Sequence, residues 1–165
     1  MRVLALIVIF VVTFVISFPK DKVYYFILDN LLAYNIQIEP KQKDISAFGI
    51  DLKSNSIYLS QSKIGYVENI DIGILSLELD NIKFAGVFKQ TLPNIKELNV
   101  YLKVGDFFDV VGDFGSVVGN LNIMDRKIVF KANIKANAYQ KYKNIFGMFK
   151  KSKSVKGEYI YEFNI

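Results

Sequence analysis

Residues 70–88 read IDIGILSLELDNIKFAGVF, and their apolar side chains recur at every second position: Ile70, Ile72 and Ile74, then Leu75, Leu77 and Leu79, then Ile82, Phe84, Gly86 and Phe88. A period of two places alternate side chains on opposite faces of a strand, so one face meets a core and the other meets water. The face switches between Ile74 and Leu75, which suggests a bulge or bend near Gly73. Upstream the same alternation holds at Ile36 and Ile38, at Phe48, Ile50 and Leu52, and at Ile57 and Leu59, with Ser54-Asn55-Ser56 read as a turn between the last two runs.

Downstream, residues 95–104 carry Leu98, Val100, Leu102 and Val104 on one face. Residues 116–124 form a further strand, and Asp125-Arg126-Lys127 can close a hairpin into residues 127–137. There Ile128, Phe130, Ala132, Ile134 and Ala136 face one way. The last run, 155–165, alternates throughout. These runs predict a mainly β fold, a curved antiparallel sheet with an apolar inner face on which Ile128, Phe130 and Ile134 are candidates to line a groove.

Three stretches break the pattern. Residues 21–34 place Val23, Ile27, Leu28, Leu31 and Leu32 at helical spacing after Pro19, and Asp21 suits the positive end of a helix dipole. Residues 138–152 set Tyr139, Tyr142, Ile145, Phe146 and Phe149 on one stripe opposite Lys141, Lys143, Lys150 and Lys151, predicting a second amphipathic helix. Between them the repeat Val104-Gly105-Asp106-Phe107 and Val111-Gly112-Asp113-Phe114 is read as one helical turn over 106–111 followed by a glycine turn. It lacks the Gly-Lys-Ser/Thr ending of a phosphate-binding loop.

The first eighteen residues, MRVLALIVIFVVTFVISF, hold one charge, Arg2. The apolar run falls between the roughly 7–15 residues of a cleavable signal core and the about 20 of a spanning helix. A poor cleavage site, with Phe18-Pro19 after Val15-Ile16-Ser17 and no A-x-A triplet, favours a retained anchor over a removed signal. The sequence thus divides into a transmembrane anchor, 1–18, and a β-rich domain, 19–165, expected in the periplasm on a single-pass inner-membrane anchor.

The chain has no histidine and no cysteine, which removes the usual nucleophile–base pairs and zinc sites. Asp106, Asp109 and Asp113 could gather on one side of a helix, but they match no calcium loop and read as helix-start and turn residues. We therefore expect no enzyme, no cofactor and no metal site. Charge is unevenly spread: residues 126–156 carry ten Lys or Arg and no acid, leaving eleven basic against sixteen acidic side chains elsewhere. Lys141, Lys143, Lys150, Lys151 and Lys153 are candidate contacts for anionic lipid or an acidic partner, against the alternative of a solvated face. Nucleic acid is disfavoured because the aromatics occupy the opposite stripe.

An apolar N-terminus ending in Phe18-Pro19, a short helix, a run of alternating strands, a glycine-punctuated stretch from Gly112 to Gly119 and a terminal strand after Lys156-Gly157 together resemble the type II secretion system protein N family and the broader AsmA-like envelope proteins. The resemblance implies a periplasmic curved sheet and a role as an accessory component beside a secretion apparatus, or in moving lipid between membranes. A single-pass lipopolysaccharide-transport protein of the LptC type shares the anchor, the length and the β-rich domain. The two readings differ in partner: secretion-system or other envelope proteins in one, a lipid held in an apolar groove in the other.

Overall fold

The period-two runs become the strands of a single antiparallel sheet. The computed structural model describes residues 13, 19–46, 48–152 and 157–164. Helix α1 (Lys20–Ala33) precedes β1 (Ile36–Glu39), β2 (Gln42–Ile45), β3 (Gly49–Leu59), β4 (Ser62–Gly73) and β5 (Ser76–Phe84). After the single turn α2 (Phe88–Thr91) come β6 (Ile95–Tyr101), β7 (Gly105–Gly112), β8 (Gly115–Asn122) and β9 (Lys127–Ile134). Helices α3 (Ala136–Lys141) and α4 (Lys143–Phe146) lead to β10 (Lys150–Lys151) and β11 (Glu158–Asn164). Sequential strands are neighbours from β3 to β9, and β11 lies between β9 and β10.

Strands β1 and β2 form one interrupted edge strand. Ile38 pairs with Ile57 and Lys43 with Leu52, so the register runs unbroken along β3 past Pro40 and Lys41. Proline has no N–H to donate and interrupts the ladder at an edge, where that is tolerated. Lys41 resumes it by donating its N–H to the Lys53 carbonyl at 3.1 Å.

A second irregularity crosses the sheet. The core-facing residues switch parity from Ile50 and Leu52 to Asn55 and Ile57 on β3, from Val67 to Ile70 on β4, from Leu79 to Ile82 on β5, and from Ile95 to Leu98 on β6. Registers carry the switch from strand to strand, with Leu52 opposite Ile70 and Ile70 opposite Leu79. Ser54 (φ 56°) and Asn81 (φ 52°) lie in the left-handed region on this line, and an extra residue on a strand bends it and re-aims its side chains. Ser54-Asn55-Ser56 is therefore not the turn its composition suggested; β3 runs through it. Asn55 is fully buried there and donates Nδ2 to the Leu52 carbonyl at 2.9 Å and to the Val67 carbonyl at 3.3 Å.

The face switch expected near Gly73 as a bulge or bend is a bend, the connection between β4 and β5. Two further expectations need correction. Residues 106–111 are strand β7, not a helical turn: Phe108 and Val110 face the core, paired with Gly119 and Val117. The helix expected over 138–152 is two short helices broken at Tyr142, after which Lys150 and Lys151 pair with β11. Helix α1, by contrast, lies within one residue of expectation. The anchor expected at 1–18 lies outside the described residues except for Thr13; among the described residues no helix is long and apolar enough to cross a membrane.

The helices cover one face of the sheet. Tyr24 of α1 seals a cluster with Ile50, Leu52, Val67, Ile70 and Ile82. Ala138 of α3, Phe146 of α4 and Tyr142 between them seal another with Val110, Phe114, Val117, Ala132 and Ile134. Ile95 and Leu98 border both clusters, so the two cores are joined across the middle strands.

Candidate functional site

The inner face is not fully roofed. Between the two helical covers lies a groove of about 420 Å³ whose floor is Leu98, Phe108, Val110, Val117 and Phe130 and whose far wall is Ile145, Phe146 and Phe149. Leu92 and Pro93, in the β5–β6 connection, close one side, and Met148 and Tyr161 stand at the other. The volume falls within the range of about 300–1,000 Å³ usual for small-molecule sites.

Backbone details create this space. Gly119 stands between its cross-strand neighbours Phe108 and Phe130, and a Cβ there would lie 2.8 Å from the Phe130 ring and 3.0 Å from the Phe108 Cβ. Glycine therefore lets both rings settle onto the sheet, where they meet edge to face at 5.8 Å. The register shift between Asp106 and Phe108 re-aims the chain so that Phe107 also reaches Phe130, at 6.1 Å. On the opposite wall Phe149 contacts both Phe146 (6.2 Å) and Tyr161 (5.8 Å), continuing the aromatic lining from the α4 side to β11.

No protein-family model, curated protein or solved structure matches this chain. The chemistry of the site is therefore read from its own residues. Next to the groove lies a second cavity of about 580 Å³, lined by Lys127, Lys150, Lys151, Ser152, Glu162 and Asn164 among others. Met148 and Tyr161 line both spaces. Alternation along β9 and β11 sets Lys127 and Glu162 on the outer face, opposite to Phe130 and Tyr161, so this polar cavity, with Lys127 Nζ 3.9 Å from Glu162 Oε2, lies across the β11 edge from the groove.

Of the three groove candidates read from the sequence, Phe130 lines the floor. Ile134 is buried beneath α3 and α4 as part of the core. Ile128 sits opposite Leu121 and Phe163 and does not reach the groove wall. Of the five lysines, Lys150 and Lys151 line the polar cavity. Lys141 lies elsewhere, its Nζ 4.8 Å from the Tyr142 ring centroid, and a hydrogen bond with Tyr142 holds its ammonium above the usual lysine range. Lys143 is exposed at the start of α4, and Lys153 lies outside the described residues. Lys127 was not singled out from the sequence because it reads as hairpin chemistry; its role emerges only when β9 and β11 pair.

Proposed function

We propose that this chain is a non-enzymatic envelope protein that holds an acyl chain in the groove of its inner sheet face, with an anionic headgroup beside Lys127, Lys150 and Lys151. The observation that carries the reading is the wholly apolar groove, whose edge residues Met148 and Tyr161 also line the cavity of Lys127, Lys150 and Lys151, so that a headgroup would reach these lysines round the β11 edge. An amphiphile with one hydrocarbon tail and one negative head complements both. Each methylene moved from water into the groove contributes about 0.8 kcal/mol, or about fourfold in affinity. Each lysine near anionic charge adds about 1 kcal/mol.

The apolar residues 3–18 support an inner-membrane anchor with the sheet in the periplasm, where such a protein would handle lipid. An accessory role beside a type II secretion-like apparatus rests on the family resemblance alone; the groove favours the lipid reading. Displacement of a fluorescent fatty acid from the full-length chain in amphipol tests it, using saturated fatty acids of increasing length and the matching alcohols. Two added carbons should tighten binding about fifteenfold until the groove is full. Acids should outcompete alcohols, and replacing Lys127, Lys150 and Lys151 by glutamine should remove that preference. Failure of every chain length to displace the probe would overturn the proposal and return the apparatus-subunit reading to first place.

A further inference from the structure

Six large apolar side chains stand exposed in the turns at one end of the sheet. They are Phe48 between β2 and β3, Leu75 between β4 and β5, Leu102 and Val104 between β6 and β7, and Ile123 and Met124 between β8 and β9. The registers place all four turns at the same end, since Gly49 pairs with Gly73, Ser76 with Tyr101, and Gly105 with Leu121. Turns normally carry Gly, Pro, Asn, Asp and Ser, yet here Leu102 is 80% exposed and Met124 97%. An apolar patch that folding leaves in water marks a surface that meets something else. At the opposite end the turns hold Ser60-Gln61 and the buried Phe114, and the exposed large apolar residues are Val87 in the β5–β6 connection and Tyr34 before β1, not a row along successive turns.

The chain itself indicates what covers the rim. Lys20, the first residue of α1, lines a cleft with Phe48, Gly49, Gly73 and Ile74, so Pro19 and the apolar sequence 3–18 before it join the domain at this end. Basic residues interleave with the apolar tips: Lys103 lies between Leu102 and Val104, and Arg126 and Lys127 follow Met124. The acid among them, Asp125, accepts a hydrogen bond from Asn122 at 2.7 Å. Asp106, next to Gly105, accepts from Asn120 at 3.0 Å, and on the outer face Asp44, Asp51, Asp71 and Glu78 stand one or two residues back from the strand ends, the first three beside Phe48. Apolar tips flanked by cations suit the interfacial zone of an anionic bilayer, where apolar groups enter the headgroup boundary and Lys or Arg meet phosphate.

We propose that this rim is a membrane-docking surface: the turn tips enter the bilayer interface and stand the sheet end-on to the membrane, independently of whether the groove holds a ligand. The absence of cysteine makes the test direct. Full-length chain is reconstituted into vesicles of phosphatidylcholine and phosphatidylglycerol, bearing one environment-sensitive nitrobenzoxadiazole label at Leu102→Cys, at Met124→Cys or, at the opposite end, at Val87→Cys. All three side chains are exposed, so the core is left intact. The two rim labels should shift to the blue and lose most of their emission to lipids carrying a nitroxide near the headgroup, while the label at position 87 keeps its emission in water. Rim labels as wet and as unquenched as the one at position 87 would overturn the proposal, because a domain merely tethered by its N-terminal segment would leave all three in solvent.

Discussion

Replacing Asp71 by asparagine should stabilise this protein at neutral pH. On the outer face Asp71 stands directly opposite Asp51 on one side and Glu78 on the other, and Asp51 is itself opposite Asp44, so four acids face one another across β2, β3, β4 and β5. Like charges directly opposite each other destabilise a sheet by about 0.2–1 kcal/mol per pair. Asp71→Asn removes two such pairs, and because the site is mostly solvent-screened the gain should be about 0.5–1 kcal/mol. Burial and the Asp51 charge raise the Asp71 carboxyl above its usual value, so the folded chain binds this proton more readily than the unfolded one. Its contribution is therefore present at low pH and lost as pH rises through that raised value. Asparagine removes this dependence. Urea unfolding of the full-length chain in nonionic detergent, followed by far-ultraviolet circular dichroism, should show the variant more stable at pH about 7 and equal to the parent at pH about 3. Raising the salt should shrink the difference. A variant no more stable than the parent at neutral pH, or one whose advantage persists in acid, would refute the reasoning.

Two other substitutions test the bend and the groove. Asn55→Asp puts a carboxylate where an amide donates to the Leu52 and Val67 carbonyls, which should cost about 3 kcal/mol at neutral pH and less as acid restores a donor; urea midpoints measured across pH check both the cost and its direction. Phe149→Ala removes a wall of the groove that packs on the rim of the buried cluster but is not one of its buried members, so the preferred fatty acid should become longer by several carbons in the displacement assay while the β-type circular-dichroism spectrum is unchanged.

The sheet was legible because alternation is a local signal: on β9 exposed Lys131 and Asn133 alternate with buried Ala132 and Ile134, and pairing does not alter that period. Helix α1 was legible from Pro19 and the apolar spacing behind it. The parity switches were not read as one feature, since Ser54-Asn55-Ser56 imitates a turn and the line joining it to Asn81 exists only once strands are in register. Strand β7 was hidden by Asp106 and Asp109, which suit a helix start as well as the wet face of a strand. Phe130 was within reach of sequence reasoning because its own strand alternates. Phe108 was lost with β7, and Lys127 was lost because its place beside Lys150 and Lys151 depends on β11 crossing between β9 and β10.

The claim that the groove holds an acyl chain is tested most directly by photo-cross-linking. A fatty acid bearing a diazirine on its tail is irradiated with the full-length chain, and the labelled peptides are mapped by mass spectrometry. The account expects the label on peptides containing Phe108, Phe130 and Phe149, competed away by unlabelled fatty acid. Label confined to the exposed face of α1 at Tyr25 and Phe26, or label that no competitor reduces, would contradict it.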